Sequence, residues 1–260
     1  MPLLDPEIIE TRLQNIILNQ PEQIGFDYLA DLILGSLTSP AQLSELICAV
    51  RVFARLQNSA YHQERCRNFY NCEAAAPELE TFTRSFFTDY PPSRTGMPHT
   101  DTQNAQTLIS QPLGVQKSMA RSHLRGHQEA LLFSPWPQVI EILCANPSIQ
   151  ERDIIFMASR RPTQNALLEP ILKSAWSNRP EIRLALAANP YLNVSHALRC
   201  VPTLPRPDLE ILASLPELHP AVSRHAQCFL NFLDHHNAPN SRHADIPVVE
   251  IDDFPDIPEA

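Results

Sequence analysis

The feature that most constrains this chain is a tripeptide. Ala145-Asn146-Pro147 returns 43 residues later as Ala188-Asn189-Pro190. At the same offset Pro137 falls on Pro180, Leu143 on Leu186 and Pro162 on Pro205, which makes six identities in the 26 positions 137–162. The apolar positions register too: Val139 with Ile182, Ile149 with Leu192 and Ile155 with Leu198. Asparagine before proline is pushed out of the α region, so each copy ends one helix and can start the next. Helices that break this often are too short to be stable alone, and they bury their apolar stripes only by stacking on neighbours.

A period in the forties built from short helices is the mark of HEAT or armadillo-type units. Ser148-Ile149-Gln150-Glu151 reads as a capping box, Asn178-Arg179-Pro180-Glu181 offers a similar start, and residues 220–233 read as a closing helix. The chain holds 25 prolines and 5 glycines. So many prolines suit short, regularly broken helices, and so few glycines argue against a phosphate-binding loop or a Rossmann fingerprint.

Upstream, Ile8, Ile9, Leu13, Ile16 and Ile17 form one helical stripe after Asp5-Pro6, and Ile24, Phe26, Leu29, Leu32 and Ile33 form a second. Ser39-Pro40 starts a third helix whose stripe predicts a run to about Cys72, and Pro77 opens a fourth. From Tyr90 to Gln111 turn formers dominate and no stripe is visible. The expectation is therefore an all-α protein with an N-terminal helical unit (1–90), a flexible linker (91–111), a short HEAT-like solenoid (112–235) and a disordered acidic tail (236–260).

The net charge is -9, distributed as -6 over residues 1–112, +3 over 113–230 and -6 over 231–260. A local +3 is far from the basic field that nucleic-acid binding requires, although an arginine-lined repeat face remains the route by which weak binding would occur. No run approaches a membrane span, and the N-terminus lacks a signal-peptide pattern. The six cysteines sit mostly among apolar neighbours, as expected for small buried side chains in a reducing, cytoplasmic setting.

The segments QPLGVQKSMARS, ANPSIQERDIIFMASRRP and RPEIRLALAANPYLNVSHALRCVPTLPRPDLEILA, within residues 111–226, resemble bacterial HEAT-like or leucine-rich-repeat-variant proteins. That resemblance implies a curved α-helical scaffold of bacterial origin. It implies no catalytic residue, and it does not extend to residues 1–110.

Chemistry-bearing patterns are sparse. His123 and His127 have metal-like i,i+4 spacing but lack the glutamate and third ligand of a zinc site, and His62, Cys66 and Cys72 fit no common zinc spacing. No nucleophile elbow is present. We therefore expect no catalytic residue, metal or cofactor, and a non-enzymatic scaffold, adaptor or regulator. An enzyme with a dispersed active site is the rival reading.

The residues expected to bind a partner protein are Arg160, Arg161, Arg183 and Arg206, near helix junctions of the repeats, where guanidinium groups could hold an acidic segment or the polar ends of a helix. In the tail, Val248, Val249 and Ile251 form an apolar run among acids that could dock on a partner or on the chain's own arginine-bearing surface. Residues 1–90 offer a surface for homo-oligomerisation.

Overall fold

Prolines set where many of the helices begin. Pro6, Pro40, Pro77, Pro137, Pro180 and Pro220 each stand at the first position of an α-helix, where the missing N–H costs nothing. The computed structural model describes residues 6–56, 60–69, 72–74, 76–96 and 111–237, and among these it is all-helical, with 14 α-helices and no strand. The first half holds α1 (Pro6–Asn19), α2 (Glu22–Ser36), α3 (Pro40–Leu56), α4 (Ala60–Phe69) and α5 (Pro77–Arg84). The second holds α6 (Leu113–Ala120), α7 (Arg125–Leu131), α8 (Pro137–Ala145), α9 (Glu151–Ser159), α10 (Asn165–Lys173), α11 (Pro180–Ala187), α12 (Val194–Cys200), α13 (Arg206–Ser214) and α14 (Pro220–Asn237).

The 43-residue period is visible in the helix starts: α8 and α11 begin at 137 and 180, α9 and α12 at 151 and 194. Helices pack on the next but one, α6 on α8, α8 on α10, α9 on α11 and α11 on α13. The two asparagines of the repeated tripeptide explain part of that order. Asn146 Nδ2 donates to the carbonyls of Ala120 (2.8 Å) and Ser122 (2.9 Å), at the end of α6, while its Oδ1 accepts from Ser148 N. Asn189 Nδ2 donates to Ala158 O (2.8 Å) and Arg160 O (3.1 Å), at the end of α9, while its Oδ1 accepts from Tyr191 N. Each buried amide thus ties one helix end to another and satisfies carbonyls that helix geometry leaves unpaired.

Several local expectations change. The cap before α9 lies two residues later than the Ser148 box, with Gln150 N donating to Asp153 Oδ2 at 3.0 Å, because Asn146 already holds Ser148 N in a turn. Asn178 Oδ1 instead accepts from Arg51 Nη1 (2.7 Å), a contact with the other half of the chain. The single helix expected from Ser39 to Cys72 is replaced by α3 and α4 on either side of residues 57–59, which are not among those described; the apolar stripe of α3 ends at Ala54.

The first half packs directly on the second. α3 lies against α10 and α12, α5 lies against α14, and the buried apolar side chains form one continuous core. Arg199 on α12 is 1% exposed; it donates from Nε to Phe86 O (3.0 Å) and from Nη2 to Thr88 O (2.8 Å), with its guanidinium over the Phe53 ring. Arg55 donates to Lys173 O at 3.0 Å. Phe82 on α5 meets Phe229 of α14 edge-to-face at 4.9 Å.

The start of the segment expected as a flexible linker is also fixed. Arg94 N donates to Pro190 O (3.0 Å), Val194 N to Pro91 O (3.4 Å), and Tyr90 N to Ser195 Oγ. Gly96 lies so close that a Cβ there would stand 2.9 Å from the Tyr191 ring, a contact that glycine alone permits. The remainder of that segment, 97–110, and the acidic tail from residue 238 lie outside the described residues.

Candidate functional site

The arginines expected to line one surface separate into two environments. Arg160 leans over the Phe133 ring and donates to Leu132 O at 2.8 Å; burial pushes its pKa down, and its Nε and Nη2 find no protein partner. Arg161 is exposed, bridging Glu217 (2.8 Å) and the carbonyl of Ala188. Arg183 and Arg206 come together instead, on the wall of a cleft of about 440 Å³.

That cleft forms where three parts of the chain meet. Leu37 and the α3 residues Leu43 and Ile47 come from the first half, Leu204 from the turn before α13, and Phe229 and Leu233 from α14. Leu43, Ile47, Phe229 and Leu233 face it from helical stripes whose greater part is buried in the shared core, and Leu37 and Leu204 from turns. The cleft lies between the end of α2, the starts of α3, α11 and α13 and the last turns of α14. Its lining carries two arginines and no carboxylate, histidine or cysteine.

Arg183 corrects the expectation of a surface anchor. It is 3% exposed, and its Nη1 and Nη2 donate to Ser177 O (2.7 Å) and Thr203 O (2.9 Å), joining the turn before α11 to the turn after α12. Burial lowers its pKa, and its Nε has no partner among the described residues. It therefore contributes a desolvated positive charge to the cleft and cannot reach outward. Arg206 is half-exposed at the rim; it pairs with Asp234 Oδ1 at 2.6 Å and Glu210 Oε1 at 3.1 Å, and those carboxylates raise its pKa. Exposed pairs of this kind contribute little to stability and exchange readily.

Val248, Val249 and Ile251 lie outside the described residues. His123 Nδ1 is paired with Ser148 Oγ at 2.6 Å, and no group of three metal-ligating side chains occurs among the described residues. The cysteines are free thiols; burial pushes those of Cys144 and Cys200 up to about 12. No described helix is long and apolar enough to cross a membrane.

Sequence reasoning reached Arg183 and Arg206 but missed the apolar wall from Leu37, Leu43, Phe229 and Leu233. Nothing local marks those leucines off from core positions, because their exposure depends on how α2, α3 and α14 meet. No protein-family model matches the chain, and no curated protein or solved structure matches it.

Proposed function

We propose that this chain is a non-enzymatic interaction scaffold, a HEAT-like α-solenoid with an N-terminal helical unit docked along it, which receives a partner's apolar, acid-bearing segment in the cleft. The observation that carries this reading is the composition of the cleft wall: apolar side chains beside Arg206, whose guanidinium is shared with Asp234 and Glu210, and above the buried Arg183. Apolar side chains of a bound segment would supply the affinity, and its carboxylates would meet Arg206 and the field of the buried Arg183. The repeated Asn146 and Asn189 contacts and the next-but-one helix packing support the solenoid part of the reading.

The test is a peptide-display selection on the full chain. Recovered sequences are expected to interleave aliphatic and acidic residues. Leu43→Glu with Leu233→Glu, both at half-buried rim positions, should weaken their binding by about tenfold or more through like-charge repulsion and lost apolar contact. Peptides that bind the double variant as tightly as the parent would remove the cleft from the function.

A further inference from the structure

The 43-residue period relates α9 to α12, and the two helices have unequal cover. Every residue of α12 is buried, whereas α9 exposes Arg152, Phe156 and Ser159. Part of the cover on α12 is the chain's own segment 85–94, which leaves a tight turn at 85–87 and is extended from Thr88. Arg199 holds that segment with one edge of its guanidinium: Nε donates to Phe86 O at 3.0 Å and Nη2 to Thr88 O at 2.8 Å. Further along, Tyr90 N donates to Ser195 Oγ and Arg94 N to Pro190 O. Gly96 then lies against Tyr191 and against Pro162, which follows the end of α9. The interface on α12 thus runs up to the C-terminal end of α9.

The residues of α12 that hold this segment, Ser195 and Arg199, correspond at the 43-residue offset to Arg152 and Phe156, both exposed. One turn after Phe156 comes Arg160. Arg199 lies over the Phe53 ring; Arg160 lies over the Phe133 ring, which meets Phe156 edge-to-face at 5.3 Å. Arg160 Nη1 donates to Leu132 O. Its Nε and Nη2, the edge with which Arg199 holds two carbonyls, are shielded from water and have no partner among the described residues. Buried donors are normally satisfied, so an unsatisfied pair on one edge marks a position where acceptors are still to be supplied.

We propose that an extended segment of a partner protein docks along α9 as residues 85–94 dock along α12. Two of its carbonyls, two residues apart, would accept from Nε and Nη2 of Arg160, and its apolar side chains would lie on Phe156 and the half-buried Ile155. Docking includes a turn of the Arg160 side chain that brings the shielded edge outward. An extended chain presents alternate side chains to one face, so recognition rests on backbone carbonyls and on apolar residues at alternate positions. This surface shares no residue with the lining of the cleft, and the inference stands apart from the cleft reading.

A display library of random nonapeptides, selected on the full chain, tests this. One class of recovered peptides should carry apolar residues at alternate positions and bind Leu43→Glu with Leu233→Glu as tightly as the parent. Phe156→Ser should weaken that class about tenfold or more. Arg160→Lys keeps the charge but removes the two-donor edge, and should weaken it about tenfold. In the parent the 15N resonance of Arg160 Nε should shift as these peptides bind, a readout that no loss of stability in a variant can imitate. Absence of such a class, or an Nε resonance that stays in place on binding, overturns the proposal. A fixed acidic residue whose change to the amide abolishes binding also overturns it, because a carboxylate would then take the edge. So does a dimer of the parent in sedimentation that Phe156→Ser abolishes, because the occupant would be a second copy.

Discussion

His225 on α14 is buried with its Nε2 unpartnered, and the Phe82 ring of α5 meets it edge-to-face at 5.1 Å. Burial pushes its pKa from the ordinary 6.5 down to about 4. Above pH 6.5 the imidazole is neutral folded or unfolded, and stability is at its full value. As the pH falls from 6.5 toward 4 the unfolded chain takes up a proton that the folded chain refuses, so stability drops. The fall approaches about 3 kcal/mol and levels off below pH 4. His196, pushed well below its usual range by burial and by Arg199, adds to the loss in the same direction. His225→Leu should flatten the melting temperature between pH 7 and pH 4.5 relative to the parent. A variant that loses as much stability as the parent across that interval would place the sensitivity elsewhere. Arg160 warns against reading cations as free: Arg160→Glu would strip a ring contact and a carbonyl bond from a half-buried group, so charge reversal there reports stability together with binding.

At the scale of elements, the repeated asparagine does two jobs at once. Its backbone ends a helix, and its side chain ties that end to a helix one unit back. Asn146→Asp or Asn189→Asp keeps the size and the acceptor but removes the donor and sets a new charge beside the carbonyls it served, of which Ser122 O alone keeps a second bond, from Gln128 Nε2. Each should cost about 2 kcal/mol or more in urea denaturation. The two clamps hold different helix ends and share no partner, so the double variant should cost the sum of the two to within about half a kcal/mol. A marked departure from additivity would mean that the clamps couple through the stack. Aspartate serves as a reporter here because a turn former of nearly the same shape separates the loss of donation from the loss of packing.

Across the whole molecule, the buried Arg199, the Arg51–Asn178 bond and the phenylalanine contacts of α5 with α14 join the two halves into one core. Trp136 and Trp176 both lie in the second half, Trp176 in the turn 175–178 that packs on α3, so fluorescence reports that half and its junction with the first, while far-UV circular dichroism reports every helix. The two signals should give coincident denaturant midpoints, as one cooperative unit requires. Separated midpoints would show that the first half unfolds on its own. The helical class, the starts of α1, α3, α5, α11 and α14 and the 43-residue period were legible in the sequence, because proline, asparagine before proline and the 3.6-residue stripe act over a few neighbouring residues. Arg183 and Arg206 were also legible as cations near junctions. Only the tertiary structure decided that Arg183 turns inward, that Arg160 and Arg206 occupy different surroundings, and that Leu37, Leu43, Phe229 and Leu233 share a wall. The arginine surroundings depend on contacts 6 to 28 positions apart, and the wall on packing between residues more than a hundred positions apart. A local pattern carries no record of which of its apolar residues a distant helix will leave uncovered.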